Sequence, residues 1–533
     1  MSDRKVMMRF HLYRLNFMSM ISILLLLTLP VLSRESKKND ALDTITGAEL
    51  KDHIYYLASD FLEGRLTGSE GYKQASHYIA SQLKAAGLVP FIKNAEGKES
   101  YLQSIDFMIS SIAPESTIHI KQGQKEITVV PADQFLPLLH GQAFKDGRYE
   151  GNPVFVGYGI EEPDDGWNDY ENMDISGKIA VMITGAPTKD GKPVLSEEKN
   201  ELYGNLMQGA SERLKSALNH KPAGIIMVLD SKNAEMWPGL APTLNRPARR
   251  LSADEKKDTT WHLPIFVLHP EAAVELLKET GFDPVSGKGE VRSADLKDTA
   301  ILFDLKYKIE REFACRNVVG FIQGNDPHLK NEYVVVGAHL DHLGVREGNT
   351  FNGADDNASG CAAILEAAEA TAMSPQRRSV FFVFYTAEEG AGQGSFHFVD
   401  NFPFPLENIG VAINVDMVGR NCEPFPGSLL GISPDNLKLE LAEFMEKANM
   451  DIANIDLRTY LHESDLGDYW GGSDEMMFHM RGIPAVLITS GYSHPDYHKA
   501  SDDPDKINYD KVVAASRLIY ALAISVANAE KIF

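Results

Sequence analysis

The chain has 533 residues, 44% of them hydrophobic and 24% charged, with a formal net charge of −23. That length exceeds what one hydrophobic core usually serves and predicts at least two domains. The acidic balance, without any long Lys/Arg run, argues against nucleic acid and anionic membrane surfaces as partners.

At the N-terminus, Arg4, Lys5, Arg9 and Arg14 precede or begin an apolar run from Phe17 to Leu32. A basic start followed by a short apolar run is the pattern of a secretory signal, here over residues 1–33, and predicts an exported chain, periplasmic or extracellular in a bacterium. If retained, residues 17–32 would act as a membrane anchor, although the run is slightly short for a spanning helix. A polar linker is expected over 34–43. Cys315, Cys361 and Cys422 are the three cysteines. They are too few for a disulfide scaffold, and their separation argues against a thiolate metal site.

Residues 44–140 read as the first part of a catalytic domain. Tyr78, Ile79, Leu83 and Ala86 recur at helical spacing after the Gly-rich turn Glu63–Gly68, and Gly87 is placed to end that helix. From 141 to 290 the texture changes to short β-like runs, Pro153 to Tyr158, Lys178 to Ile183, Ala223 to Leu229 and Pro264 to Leu268, which predicts an inserted β-rich module. Residues 291–533 then alternate buried-looking strands with helices. The strands are expected at Tyr333 to Ala338, Val380 to Tyr385, Gly410 to Val415 and Ala485 to Thr489, with a covering helix from Ala358 to Ala370. This is the pattern of an α/β sheet covered on both faces.

Three of these strands end in a possible metal ligand: His339 with Asp341 close behind, the pair Glu388 and Glu389, and Asp416. In open α/β sheets, ligands gather beyond the carboxyl ends of the strands, so these side chains are expected to converge. Adjacent carboxylates such as Glu388 and Glu389 need a cation or a shared proton. A zinc ion would take one of them and leave the other to act as general base. Asp341 is a candidate to orient His339 through a hydrogen bond. In Gly353–Gly360, Asp355 and Asp356 could ligate, or simply cap the helix that follows. Either His494 or His498, in the loop after the last strand, could complete a second site.

As an ordered set, His-x-Asp, Gly-Ala-Asp-Asp-Asn-Ala-Ser-Gly, Glu-Glu-Gly, Asn-Val-Asp-Met and Tyr-His across residues 331–505 resemble the secreted di-zinc aminopeptidases and the related glutamate carboxypeptidases. The resemblance implies a three-layer α/β/α core with a mixed, largely parallel sheet. It also implies two zinc ions per chain: His339 and Asp416 on one, Glu389 and His498 on the other, and Asp356 as the bridge. It makes Glu388 the general base, Asp341 the partner of His339, and Tyr497 a group that polarises the scissile carbonyl. His494 becomes a loop residue. The inserted module resembles a protease-associated domain through Asn168–Asn172 and Asp174–Val181.

These readings predict a two-zinc exopeptidase acting on peptides, foremost an aminopeptidase. A carboxypeptidase or dipeptidase would use the same metal core, but no Arg cluster favours the former. A glutaminyl cyclase would be expected to use one zinc, and the retention of all five ligand positions counts against it. An inactive receptor or binding module would be expected to lack a ligand or the base, and none is missing. Asp474 and Glu475 either attract a free α-amino group or cap the following helix.

Overall fold

The computed structural model describes residues 40–531 apart from 94–96, 139–145, 190, 253–262, 391, 433–438, 461–471 and 493. The expected signal over 1–33 lies outside the described residues, as does the linker up to residue 39; residues 40–43 are helical. Among the described residues no helix is long and apolar enough to cross a membrane. The chain divides into two compact units, one comprising the chain up to Ile105 and from Ala314 onward, the other Asp106–Phe313.

The first unit is built on a mixed sheet. Its strands, in chain order, are β1 (Leu102–Ile112), β2 (Tyr307–Ile322), β3 (Tyr333–His339), β4 (Ser379–Tyr385), β5 (Ile409–Val415), β6 (Leu429–Ile432), β7 (Leu457–Tyr460) and β8 (Ala485–Thr489). They lie in the spatial order β1-β2-β4-β3-β5-β8-β6-β7, and Ala248–Leu251 pairs with Phe107–Ser110, the part of β1 that belongs to the second unit. The four central strands β4, β3, β5 and β8 are mutually parallel, and β2 and β6 close this group antiparallel on either side. Both β3 and β4 are buried at every position, which is why their sequences read as unbroken apolar runs rather than alternating ones.

Helices cover both faces. On one side α1 (Gly47–Leu57), α2 (Glu70–Ala85), α3 (Gly360–Ala372) and α6 (Tyr509–Asn528) pack together over the sheet. On the other, α4 (Gln393–Asp400) and α5 (Glu475–His479) bring Phe398 and Phe478 into a cluster with Tyr333, Val335, Phe381, Val383 and Tyr385. The three-layer α/β/α arrangement is the expected one. Local chemistry sets the helix starts: Thr46 accepts from the Glu49 N–H, and Ser69 from the Tyr72 N–H. In α3, Gly and Ala keep the helix thin enough to be buried on nearly every side.

The second unit extends further than the segment 141–290 expected from texture. Its extra strands explain why: Thr117–Gln122 pairs with Thr299–Leu305, which pairs in turn with Gly147–Gly151, so residues on both sides of the expected boundaries belong to one antiparallel sheet. The four short runs read from the sequence form a parallel group, Pro153–Phe155, Ile179–Ile183, Gly224–Val228 and Ile265–Leu268. Helix Leu206–Asn219 lies between two of them in the chain, so the unit is mixed α/β around its β-rich core.

Candidate metal centre

The register of the central strands sets the site. His339 stands opposite Tyr385, and Gly337 opposite Asn414, so the ends of β3, β4 and β5 fall on one edge. His339 is there directly, Glu388 and Glu389 follow β4 by three and four residues, and Asp416 follows β5 at once.

Asp356 reaches the same edge from an irregular turn. Helix α3 begins two residues later than expected because Ala354–Ser359 form a wide turn in which Asp356 and Asn357 leave helical geometry, with φ/ψ of −103°/91° and −130°/45°. Gly353 opens it at φ +57°, where a Cβ would stand 2.1 Å from the Asp356 carbonyl and 2.5 Å from the His342 ring. Only glycine allows that approach. Asn357 ties the turn to β5, donating from Nδ2 to the Val415 carbonyl at 2.8 Å and accepting the Met417 N–H at 3.2 Å.

The two adjacent aspartates separate cleanly. Asp356 Oδ1 lies 3.2 Å from His339 Nε2, and its Oδ2 lies 3.2 Å from His498 Nε2. Asp355 points away: its Oδ1 accepts the Gly419 N–H at 2.6 Å and the Ser359 hydroxyl at 3.1 Å, while Oδ2 faces His494 Nε2 at 3.4 Å. His494 is thus buried with Asp355 behind the turn.

Around Asp356 the remaining groups fall on two sides. His339 Nε2 also lies 3.2 Å from Asp416 Oδ1, and His498 Nε2 lies 3.4 Å from Glu389 Oε2. Zinc–nitrogen and zinc–oxygen bonds of about 2.0–2.2 Å in tetrahedral geometry hold neighbouring ligand atoms roughly 3.4 Å apart. These four separations match that spacing, and imidazole with carboxylate is a donor set suited to zinc. The residues therefore fit a pair of metal ions.

Electrostatics agree. Burial opposes charge on His339, yet Asp416 and Asp356 raise its pKa well above the usual imidazole range. Burial, reinforced by Asp356, pushes Glu389 up to about 8. Glu388 is likewise raised, by burial with Asp474 and Asp416 adding to it. Asp474 is fully buried, and burial pushes it up to about 8. Glu475 accepts from Asn414 Nδ2 and the Ser473 N–H, both at 3.0 Å, and is not merely a helix cap. So many buried carboxylates crowd together stably only with cations or protons among them.

Asp341 meets His339 through its main chain and other groups through its side chain. The His339 Nδ1–H donates to its main-chain carbonyl at 3.1 Å, whereas its carboxylate accepts the Glu388 N–H at 3.0 Å and the Thr67 hydroxyl at 2.9 Å. A two-residue spacing closes a local turn onto the carbonyl, which leaves the carboxylate free to steady the end of β4. Tyr497 is partly exposed, its ring stacked on His498 at 3.9 Å between centroids.

Two participants were missed in the sequence. His342 is fully buried, with Nδ1 2.6 Å from Glu389 Oε1 and 3.7 Å from Asp356 Oδ2. A second histidine three residues after His339 was the available signal. Arg65, inside the turn read only as Gly-rich, is buried and donates to the carbonyls of Leu57, Leu340, Asn352 and Gly353. It thereby clamps the loop after β3 to the turn that carries Asp356.

Residues 317–523 match the model of peptidase family M28. A probable glutamate carboxypeptidase of Zea mays is 24% identical over 472 residues, covering 82% of this chain and 60% of the relative. A probable leucine aminopeptidase of Arthroderma otae is 25% identical over 236 residues, covering 42% of this chain and 60% of the relative. The chain thus spans about 60% of the length of these curated relatives. Among solved structures, an aminopeptidase from Aneurinibacillus sp. aligns over 93% of this chain and 97% of its own, at 16% identity and a TM-score of 0.48. A zinc aminopeptidase from Bacillus subtilis aligns over 91% and 96%, at 20% identity and a TM-score of 0.47.

Proposed function

Taking as premise that residues 317–523 belong to peptidase family M28, we propose that this chain is a two-zinc exopeptidase, and specifically an aminopeptidase. The observation that carries the two-metal reading is Asp356, which presents one carboxylate oxygen to His339 and the other to His498. His339 and Asp416 would hold one ion, Glu389 and His498 the other, with Asp356 shared. When bound, the pair supplies Lewis acidity to the amide carbonyl and acidifies water at the site.

The chain's own residues do the rest. Glu388, its backbone held by Asp341, takes the proton of the attacking water and passes it to the departing amine. Thr67 keeps Asp341 oriented for that task. Tyr497, whose ring stacks on His498, would polarise the carbonyl as the tetrahedral oxyanion develops.

The aminopeptidase reading rests on charge. Asp341, Asp356, Glu388, Glu389, Asp416, Asp474 and Glu475 gather at or behind one sheet edge, so the groups around the two ions are acidic rather than basic. A positively charged α-amino terminus suits that field better than a carboxylate. The probable carboxypeptidase relative of maize supports the alternative of a carboxypeptidase on the same core. Zinc-restored protein assayed on peptides with free, N-blocked or C-blocked ends separates the two. Loss of cleavage on N-blocking alone supports the aminopeptidase; loss on C-blocking alone supports the alternative. We also read a protease-associated module over residues 141–290, within the unit Asp106–Phe313, on the sequence resemblance at Asn168–Asn172 and Asp174–Val181, and the chain as exported, on residues 1–33.

A further inference from the structure

Three histidines, not two, approach Glu389 and Asp356, and the separations sort them into different jobs. His498 Nε2 stands 3.2 Å from Asp356 Oδ2 and 3.4 Å from Glu389 Oε2, the spacing of two ligands on one tetrahedral zinc. His342 Nδ1 stands 2.6 Å from Glu389 Oε1. At 2.6 Å the pair is closer than the roughly 3.4 Å between two ligands of one tetrahedral ion and has the length of a hydrogen bond, which requires a proton between the atoms. His342, Asp356 and Glu389 also lie close enough together to form a ligand group of their own. The two oxygens of Glu389 are thereby divided, Oε1 toward His342 and Oε2 toward His498 and Asp356. The imidazole of His342 is fully buried, and among the described residues Nε2 has no hydrogen-bond partner. A neutral ring carrying its one proton on Nδ1 satisfies Glu389 without adding a charge to the interior.

We infer that His342 is a positioning residue: its Nδ1–H holds Glu389 Oε1, so that Oε2 is presented to the metal shared with Asp356 and His498. The inference rests on the two-zinc reading above and adds to it a group outside the five-ligand set. Removal of a hydrogen-bond partner behind a metal ligand typically lowers metal affinity about 10- to 100-fold without abolishing the site.

The experiment is a zinc titration of the chelator-stripped full chain against a competing chromophoric chelator, for wild type, His342→Asn, His342→Gln, His342→Ala and His498→Ala. Asn places an amide N–H close to the position of imidazole Nδ1, whereas Gln places it near Nε2. The expected result is two zinc ions at saturation for wild type and all His342 variants. The weaker site should loosen about 10- to 100-fold in His342→Ala and His342→Gln and be largely restored in His342→Asn. His498→Ala should saturate at one ion. A purely packing role would not distinguish Asn from Gln, and near-UV circular dichroism of each stripped variant monitors the fold. If His342→Ala does not fold, the Asn and Gln pair carries the test alone. Equal affinities in Asn and Gln variants overturn the inference. So does a His342 set that saturates at one ion while His498→Ala keeps two, which would make His342 the ligand. A wild-type chain that takes up fewer than two ions overturns the two-zinc reading itself, and the inference with it.

Discussion

Asp355 and Asp356 are joined by a single peptide bond, yet their carboxylates serve different histidines, Asp356 facing His339 and His498 and Asp355 facing His494 behind the turn. The backbone makes this possible: Asp502 Oδ2 accepts both of their N–H groups, at 2.9 and 3.1 Å, while Asp356 itself leaves helical geometry. Asp356→Ala should therefore lose metal, and Asp355→Asn should keep both ions while losing stability of about 1–3 kcal/mol, the cost of weakening a buried acceptor. Metal analysis and thermal melting of the two variants check this pair of outcomes. Full metal occupancy in Asp356→Ala would transfer the bridge to another group.

Glu388→Gln tests the proton carrier. The substitution preserves size and leaves all five ligands, so bound zinc should stay at two per chain while turnover falls by about 10²- to 10⁴-fold. Unchanged turnover would remove Glu388 from the mechanism.

The metal-free chain has a definite pH dependence. Burial pushes Glu389 and Asp474 up to about 8, so both retain protons in the fold that they would release on unfolding. Their contribution to stability is present below the ordinary carboxylate range and is lost as pH climbs through about 8. His342, pushed down to about 3 by burial, works in the opposite sense, but its effect is complete above its ordinary value of 6.5. Between pH 6.5 and 8 the melting temperature in chelator should therefore fall. Thermal scans across that window should show the decline, and zinc should flatten it. A metal-free melting temperature that rises with pH would contradict the burial of these carboxylates.

Arg65→Met removes a cation that donates to four main-chain carbonyls. Each buried acceptor left unpaired costs about 1–3 kcal/mol, so a loss of at least about 3 kcal/mol is expected in denaturant melts. Zinc affinity should fall with it, because the same side chain joins the loops bearing His339 and Asp356. A variant as stable as the parent would show that these carbonyls find other donors.

Much of the centre was legible because sheet physics delivers it. Buried parallel strands read as apolar runs, and their carboxyl ends carried His339, Glu389 and Asp416 to one edge. What escaped depends on geometry off the strands. His342 lies in a loop, where sequence spacing does not say which way a ring turns. Arg65 bonds to carbonyls, which leave no mark on side-chain patterns. Asp341 meets His339 through its main-chain carbonyl, a contact that the side-chain pattern does not announce. The second unit's limits were missed because its antiparallel sheet joins strands about 180 residues apart in the chain, with nothing local to announce the pairing.

The central claim is that Asp356 is shared by two metal sites, and an anomalous difference map at the zinc absorption edge, from crystals of zinc-restored protein, tests it most directly. The account predicts two peaks about 3.5–4 Å apart, one against His339 and Asp416, the other against Glu389 and His498, with Asp356 between them. A single peak, or a second one that lacks Asp356 as a neighbour, would contradict it.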